Sequence, residues 1–274
     1  MSFLEQMAAA SRERVRHARA GQGVTALLAA CRAAEPPPKL ELAGFDVIAE
    51  IKRNSPAEGV LGAEIDVAGR AVAYAGGGAA AVSVLTEPAR FGGSLDDLAE
   101  TVAALRPVGV PALRKDFLVD PCQLLEARAA GAGGALLIVA MLDDVLLGEM
   151  LATAAEHGLF VLLEAFDEAD LERAGTLAAD RPGSAPVLVG VNTRDLRTLE
   201  VDAARLARLA PRLPPGIPAV AESGLHTAED AGRAAGLGYR LALVGTALMR
   251  AADPGGLVAG MVAAGRRVTM ERAG

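Results

Sequence analysis

The stretch VIAEIKRNSPAEG, residues 47–59, places two charged side chains in a hydrophobic run that otherwise predicts a buried strand. Glu50 and Lys52 are two residues apart, so on a strand both side chains point to the same face. A small polar loop, NSPAEG, follows them. The stretch therefore predicts a strand that carries a carboxylate and an ammonium side by side at its carboxyl end.

Seven more apolar, β-branched runs follow this one, with starts roughly 25 to 30 residues apart, the length of a strand, a helix and two loops. The runs are continuous rather than alternating, which is typical of parallel strands that are buried on both faces. The eight predicted strands are Val47–Lys52, Ala80–Leu85, Val110–Lys115, Ala135–Ala140, Leu159–Glu164, Val187–Asn192, Ile217–Glu222 and Leu241–Gly245.

Helical segments separate these runs, among them SLDDLAETVAALR, CQLLEARAAG, DVLLGEMLATAAEHG and AEDAGRAAGLG. Their apolar residues recur at spacings of three and four, and several end in glycine. Eight such units predict an α/β fold, a closed (β/α)8 TIM barrel with an N-terminal helical extension. An open, doubly wound sheet is the alternative.

Gly76–Gly78 follow a helix and precede a strand. This order is the reverse of a dinucleotide-binding loop, so the glycine run predicts a helix end.

The extension covers residues 1–45, and the barrel is predicted as one domain over residues 46–274. The helical part of the extension ends near Glu35–Lys39, where consecutive prolines require extended backbone. The extension could cover the barrel mouth as a lid, contact another subunit or close the barrel from below.

Composition and charge exclude several classes of function. A net charge of -7 and an aromatic content of 3% argue against a nucleic-acid partner. No apolar run approaches the roughly 20 residues of a membrane helix, and the N-terminus lacks a secretory signal. Cys31 and Cys122 are far apart and no histidine has metal-ligand spacing, so neither a disulfide framework nor a zinc site is expected. We expect a cytoplasmic protein without membrane partner or cofactor, and a monomer is favoured.

Polar residues end five of the predicted strands, at the face where barrel enzymes carry their active sites. The charged residues share a strand face with an apolar residue, Glu50 and Lys52 with Ile48, Lys115 with Leu113, Glu164 with Leu162 and Glu222 with Val220, which predicts apolar layers beneath a charged one. Buried Lys and Glu are rare unless paired or used, so the set predicts a catalytic site. Arg114 and Asp116 flank Lys115, point the other way and predict a structural ion pair. The strand-end residues are Glu50, Lys52, Lys115, Glu164, Asn192 and Glu222.

A second set of residues predicts a phosphate site. Phosphates in such barrels often bind between the loops after strands 7 and 8, at a helix N-terminus. Ser223–Gly224 and Gly245–Thr246 fall in these two loops, where small residues leave backbone N–H groups free to bind. Either pair alone is typical of an ordinary turn, whereas both together favour a phosphate.

The chain resembles the indole-3-glycerol-phosphate synthase family of tryptophan biosynthesis over nearly its whole length. The resemblance lies in the segments IAEIKRNSP, SVLTEPARFGGSLDDL, PALRKDFLVDPCQLLEARAAGA, LLIVAML, VGVNTRDLRTLEVD and AVAESGL, which have the family's order and spacing. It implies a phosphorylated small-molecule substrate, 1-(2-carboxyphenylamino)-1-deoxyribulose 5-phosphate. Ring closure, decarboxylation and dehydration would then give indole-3-glycerol phosphate, with no metal or organic cofactor.

By this resemblance, Lys115 is the general acid on the ketone oxygen during ring closure, and Lys52 lies near the carboxylate and the departing hydroxyl. Glu50 and Glu164 are acid–base carboxylates, and the division of the dehydration step among them and Lys52 is left open. The other matched residues orient or enclose the substrate: Asn192, Arg194 and Glu222 near its charged groups, Phe91 and Phe117 beside its aromatic ring, and Ser55, Ser223, Gly224, Gly245 and Thr246 around it and its phosphate.

Two positions depart from the family pattern. Ala57 stands where the family usually has Ser, and Phe166 stands where it often has His. Both departures affect the expected fine contacts with the substrate rather than the reaction.

Three other functions are consistent with parts of this pattern. A phosphoribosyl isomerase would use paired carboxylates, or Cys with Asp, rather than paired lysines. A Schiff-base aldolase would need a neutral lysine, and Glu50 favours an ammonium at Lys52. A barrel that only binds a sugar phosphate would leave the complete set of rim charges unexplained.

Overall fold

The computed structural model describes residues 1–21, 23–55, 59–61, 65–180 and 185–273. Eight parallel strands form a closed barrel, in which the last strand pairs with the first through Asp46 and Leu241. The barrel strands are β1 (Asp46–Ile51), β2 (Ala81–Leu85), β3 (Ala112–Lys115), β4 (Gly134–Ile138), β5 (Phe160–Ala165), β6 (Val187–Asn192), β7 (Ala219–Glu222) and β8 (Leu241–Val244).

Helices surround this barrel and precede it. The α-helices are α1 (Phe3–Gly21), α2 (Gly23–Ala33), α3 (Val67–Gly76), α4 (Pro88–Phe91), α5 (Leu95–Leu105), α6 (Pro121–Ala129), α7 (Asp144–Glu156), α8 (Glu168–Ala179), α9 (Arg205–Leu209), α10 (Ala228–Gly236), α11 (Thr246–Arg250) and α12 (Pro254–Ala273). Short 3-10 helices occupy Arg106–Val108, Val139–Met141 and Ala210–Arg212, and Asn54–Ser55 pairs with Gly59–Val60 in a small antiparallel ribbon.

The predicted TIM barrel with an N-terminal helical extension is confirmed, and all eight predicted strands occur. Two strands begin two residues later than predicted, because prolines precede them. Pro111 and Pro218 have no N–H for the sheet, although their carbonyls accept from the neighbouring strands, from Val82 and Val189 respectively. Gly76 ends helix α3, as predicted for the glycine run.

The alternation of side chains along each strand separates the interior of the barrel from its helix-covered surface. Side chains such as Ile48, Leu113, Leu162 and Val220 form one buried cluster inside the barrel. Alternate residues of the same strands, such as Val47, pack in a second cluster that includes residues from the helices. The apolar layers predicted beneath the strand-end charges are therefore present.

The extension packs against both ends of the barrel. Leu4 and Met7 of α1 join the interior cluster beside Phe117, which follows the carboxyl end of β3. Leu40 and Leu42 pack against the same cluster and directly precede β1, so they lie at its opposite end. Within the described residues, no helix is both long and apolar enough to cross a membrane.

Candidate active site

A cavity of about 480 Å³ opens at the carboxyl ends of the strands. Every residue predicted for the site lines it except Glu164. The predicted residues in its wall are Glu50, Lys52, Ser55, Phe91, Lys115, Phe117, Asn192, Arg194, Glu222, Ser223, Gly224, Gly245 and Thr246. The structure thus brings together residues from six of the eight strand–loop units.

A chain of ion pairs forms the floor of the cavity. Lys52 Nζ lies 3.0 Å from Glu50 Oε1, and Lys115 Nζ lies 3.7 Å from Glu50 Oε2. Burial would raise the pKa of Glu50, but the ammonium groups of Lys52 and Lys115 outweigh burial and hold that pKa below its ordinary value. Glu50 is therefore a carboxylate at neutral pH, with a cation on each side.

Glu164 lies behind Lys115 and outside the cavity wall. Its side chain is fully buried, and its Oε2 lies 3.7 Å from Lys115 Nζ. Burial would lower the pKa of Lys115, but the negative charges of its glutamate neighbours, Glu164 and Glu50 first, raise it above its ordinary value. Lys115 is therefore an ammonium at neutral pH.

Glu222 ends β7 and reaches the cavity beside Lys115. It is buried, and burial is the first cause that raises its pKa well above the ordinary value, followed by the charge of Glu164. Unlike Glu50, Glu222 therefore holds a proton well above the pH at which an exposed glutamate loses it.

The segment after β6 forms one wall of the cavity. Asn192 Oδ1 accepts from the backbone N–H of Arg194 at 2.9 Å, and Arg194 pairs with Val201 in an isolated antiparallel bridge. Between them, Leu196 and Leu199 also line the cavity. The sequence analysis missed Leu196, Leu199 and Val201, although the apolar residues spaced along the NTRDLRTLEV segment were a usable signal.

Side chains behind this wall fix its position. Arg197 donates to both carboxylate oxygens of Asp195 and to Asp167, and its guanidinium lies 5.5 Å from the centre of the Phe166 ring. Phe166, one of the two departures, is fully buried there and does not line the cavity. Ala57, the other departure, lies outside the described residues.

Aromatic side chains form the opposite wall. The rings of Phe91 and Phe117 lie 6.1 Å apart with an interplanar angle of 36°. Phe3 of α1 packs edge-on against Phe117 at 5.9 Å, so the extension supports this wall. The cavity therefore has two apolar sides that can hold a flat ring between them.

The loops after β7 and β8, where the sequence predicts a phosphate site, lie in the wall of the cavity. Ser223 and Gly224 have φ values of 64° and 73°, and the left-handed conformation is unusual for serine. Gly245 directly precedes α11, and a Cβ there would lie 2.2 Å from Glu50 Oε1. A side chain at this position would displace the Glu50 carboxylate. His226, which was not among the residues predicted for the site, also lines the cavity.

No cluster of three or more His, Cys, Asp or Glu side chains suited to a metal ion occurs in the part of the chain that the structure describes. Arg114 and Asp116 form the predicted ion pair at 3.4 Å, on the outer side of β3. Asp116 also borders the cavity, and its carboxylate accepts hydrogen bonds from Thr86 and Arg14.

The fold and the cavity define a (β/α)8-barrel enzyme whose site combines paired ammonium and carboxylate groups with apolar walls. A model of the indole-3-glycerol phosphate synthase family matches residues 4–259. The chain belongs to the indole-3-glycerol phosphate synthase family, a family of carboxy-lyases of tryptophan biosynthesis.

Relatives agree with this membership. The indole-3-glycerol phosphate synthase of a Nocardioides species is 45% identical over 262 residues, which are 94% of this chain and 97% of that protein. The indole-3-glycerol phosphate synthase of a Parafrankia species is 49% identical over 219 residues, covering 80% of this chain and 78% of that protein.

Two solved structures share the fold at low sequence identity. Tryptophan synthase subunit alpha from Legionella pneumophila has a TM-score of 0.57 and 15% identity, and the match covers 99% of both chains. 3-Hexulose-6-phosphate synthase from Salmonella typhimurium has a TM-score of 0.58 and 14% identity, over 83% of this chain and 99% of that one. At such identities the likeness concerns the barrel alone.

Proposed function

We propose that the chain converts 1-(2-carboxyphenylamino)-1-deoxyribulose 5-phosphate into indole-3-glycerol phosphate, carbon dioxide and water. The observation that supports this proposal is that one cavity is lined by Lys115, Lys52 and Glu50, by the aromatic rings of its wall and by the loops after β7 and β8. The substrate has the matching parts: a flat ring, a carboxylate, a ketone and a phosphate.

Ring closure is the step assigned to Lys115. The ring carbon that bears the carboxylate attacks the ketone carbon, a C–C bond forms, and the ketone oxygen takes a proton from the Lys115 ammonium. An alkoxide is a much stronger base than an amine, so a lysine with a raised pKa still donates to it. The ring-closed intermediate is an iminium, and loss of carbon dioxide returns an electron pair to it.

Dehydration is the step assigned to the Glu50–Lys52 pair. Lys52 donates a proton to the departing hydroxyl, and a carboxylate accepts the proton that the ring carbon loses as the indole forms. Glu50 borders the cavity and supports this role, whereas Glu164 lies behind Lys115. We therefore propose that Glu164 acts by holding Lys115 and that Glu50 is the carboxylate nearer to the substrate.

Binding is assigned to the cavity walls and rim. Ser223, Gly224, Gly245 and Thr246 would hold the phosphate, and Phe91 and Phe117 would flank the ring, with Leu196 on the opposite wall. Asn192 and Arg194 would orient the remaining polar groups, Glu222 lies beside them, and Ser55 lies at the edge of the cavity.

We further propose that the enzyme works as a monomer in the cytoplasm, on this phosphorylated small molecule and on neither nucleic acid nor membrane. The two cysteines are free and buried, which suits a reducing compartment. Sedimentation of the purified protein tests the monomer directly.

The proposed reaction is tested by incubating the protein with the carboxyphenylamino deoxyribulose phosphate and following indole fluorescence, with EDTA present. We expect turnover by the wild type and a loss of about 10²–10⁴-fold in Lys115→Ala. Lys39→Ala is the control, because Lys39 is exposed and is the one other lysine of the sequence besides Lys52. Absence of turnover by the wild type would reject the function; full activity in Lys115→Ala would reject only the assigned acid.

A further inference from the structure

The charges of the buried cluster do not balance if every group is ionised. β1 contributes Glu50, Lys52 directly follows this strand, β3 contributes Lys115, β5 contributes Glu164 and β7 contributes Glu222. Three carboxylates would then face two ammonium groups, at sites where the glutamates are almost fully buried. An uncompensated charge in such a place is costly, and the usual outcome is that one group becomes neutral.

The geometry of β6 shows which carboxyls meet. Gly190 of β6 pairs in register with Glu164 of β5 on one side and Val220 of β7 on the other. A Cβ at Gly190 would lie 1.9 Å from Glu222 Oε1, so the Glu222 carboxyl occupies the space that a side chain on β6 would fill. Because neighbouring strands are about 4.8 Å apart, this position brings the carboxyl of Glu222 next to that of Glu164.

Neither carboxyl has a conventional donor. Among the described residues, no protein N–H or O–H group donates to any oxygen of Glu164 or Glu222, and all four oxygens are buried. Lys115 Nζ, at 3.7 Å from Glu164 Oε2, is beyond hydrogen-bond distance. Two buried carboxylates without donors would repel each other, whereas one proton between them would supply the missing hydrogen bond.

We infer that Glu164 and Glu222 share one proton in the ligand-free protein, and that Gly190 is the positioning residue that makes room for the pair. The Glu222 hydroxyl donates to the Glu164 carboxylate, so the pair carries one negative charge. The cluster then holds two negative and two positive charges. The raised pKa of Glu222, caused first by burial and then by Glu164, agrees with this count.

The shared proton also has a catalytic consequence, which rests on the proposed function. A neutral Glu222 leaves Lys115 with two carboxylate partners, Glu50 and Glu164, and keeps it protonated for ring closure. When Lys115 gives its proton to the substrate, the proton that Glu222 shares with Glu164 can pass to Lys115 through the Glu164 carboxylate. The proton for ring closure then comes from within the cluster, and because loss of carbon dioxide from a carboxylate consumes one proton overall, solvent restores it once per turnover.

The protonated carboxyl is tested without substrate, by infrared spectroscopy on protein labelled with [13C]glutamate. The label separates glutamates from aspartates such as Asp170, whose pKa is raised first by burial. We expect a carboxylic-acid carbonyl band at neutral pH in the wild type and loss of that band in both Glu222→Gln and Glu164→Gln. Absence of the band in the wild type, or its persistence in both variants, would overturn the inference.

Gly190→Ala tests the positioning role, and Gly148→Ala is its matched control, because a Cβ at Gly148 of α7 meets no atom within 4 Å. We expect Gly190→Ala to displace Glu222, to shift or abolish the band and to lower kcat at least tenfold with a folded circular-dichroism spectrum. Gly148→Ala keeps both the band and the activity. An unchanged band in Gly190→Ala would remove Gly190 from the inference. Since the band needs no turnover, its outcome is independent of whether the proposed reaction is correct.

Discussion

Lys52 Nζ lies 3.0 Å from Glu50 Oε1 at the floor of the cavity, on the first strand of the barrel. The two residues are held as an ion pair although Glu50 is almost completely buried. Burial alone would raise the pKa of this carboxyl, and the pKa of Glu50 is nevertheless lowered because Lys52 and Lys115 both face it. The ion pair therefore keeps the Glu50 carboxylate ionised at a buried position, where an unpaired charge would be unfavourable.

The stability of the protein should depend on pH through Glu50. A lowered pKa in the folded state means that ionised Glu50 contributes stability above its unfolded pKa, about 4.3, and that this contribution is lost as pH falls through the folded value. We expect Glu50→Gln to cost on the order of 1 kcal/mol or more at neutral pH and less at about pH 3. Urea unfolding at both pH values measures the difference, with Glu41→Gln, at an exposed position, as control. A cost that did not change with pH would contradict the prediction.

No covalent imine should form at the lysines of the cavity. Attack on a carbonyl needs a neutral amine, and the pKa of Lys115 is raised above its ordinary value, since the negative charges of Glu164 and Glu50 outweigh burial. We expect no mass increase after treatment with substrate and borohydride, under conditions that trap a known Schiff-base aldolase. An adduct on the peptide that contains Lys52 or Lys115 would identify an aldolase-type reaction instead.

The alternation of side chains made much of this site predictable from sequence. A strand of known direction shows which residues share a face, so Glu50 and Lys52 could be placed together, and the loops after β7 and β8 could be assigned to a rim. The position of a residue along the barrel axis could not be predicted from this alternation, because it depends on the tilt and stagger of the strands. Glu164 shows the difference: its face was predicted correctly, but it lies behind Lys115 and not in the cavity wall.

Contacts between residues far apart in the chain also could not be predicted from the sequence. Arg14 of the extension binds Asp116, 102 residues later, and nothing near either residue indicates the other. The space beside Gly190 that Glu222 fills depends on the register of two strands, which only coordinates provide.

The phosphate rim should contribute to substrate binding rather than to chemistry. Hydrogen bonds to a charged group are worth about 1.5–3 kcal/mol each, so we expect Ser223→Ala/Thr246→Ala to raise KM tenfold or more and to leave kcat within a few-fold. Inorganic phosphate should inhibit the wild type competitively and the variant more weakly. Thr153→Ala is the control, because the Thr153 hydroxyl donates to the Glu149 carbonyl within α7, away from the cavity wall. An unchanged KM would place the phosphate elsewhere.

The extension should be held on the barrel by Arg14. Its guanidinium donates to Asp116 at 2.6 Å and lies 3.7 Å from Glu87, both buried carboxylates. We expect Arg14→Ala to lower the free energy of unfolding by about 1–3 kcal/mol in urea, since hydrogen bonds to charged groups are lost. KM should also rise, because the same helix carries Phe3 against Phe117. Arg12→Ala, at an exposed position of α1, controls for helix propensity and charge. Equal stability of the two variants would contradict this role.

The two thiols should be unreactive while the protein is folded. Cys31 and Cys122 are free and buried, and burial first, then the hydrogen bond with Asp120, raises the pKa of Cys122 to about 12. The thiolate is the reactive form, and with this pKa about one Cys122 thiol in 10⁴ is ionised at about pH 8. We expect slow alkylation by iodoacetamide in buffer and rapid alkylation of both thiols in urea, followed by mass spectrometry. In Cys31→Ser the remaining signal comes from Cys122. Fast labelling of this variant in its folded state would show that the Cys122 thiol is not buried.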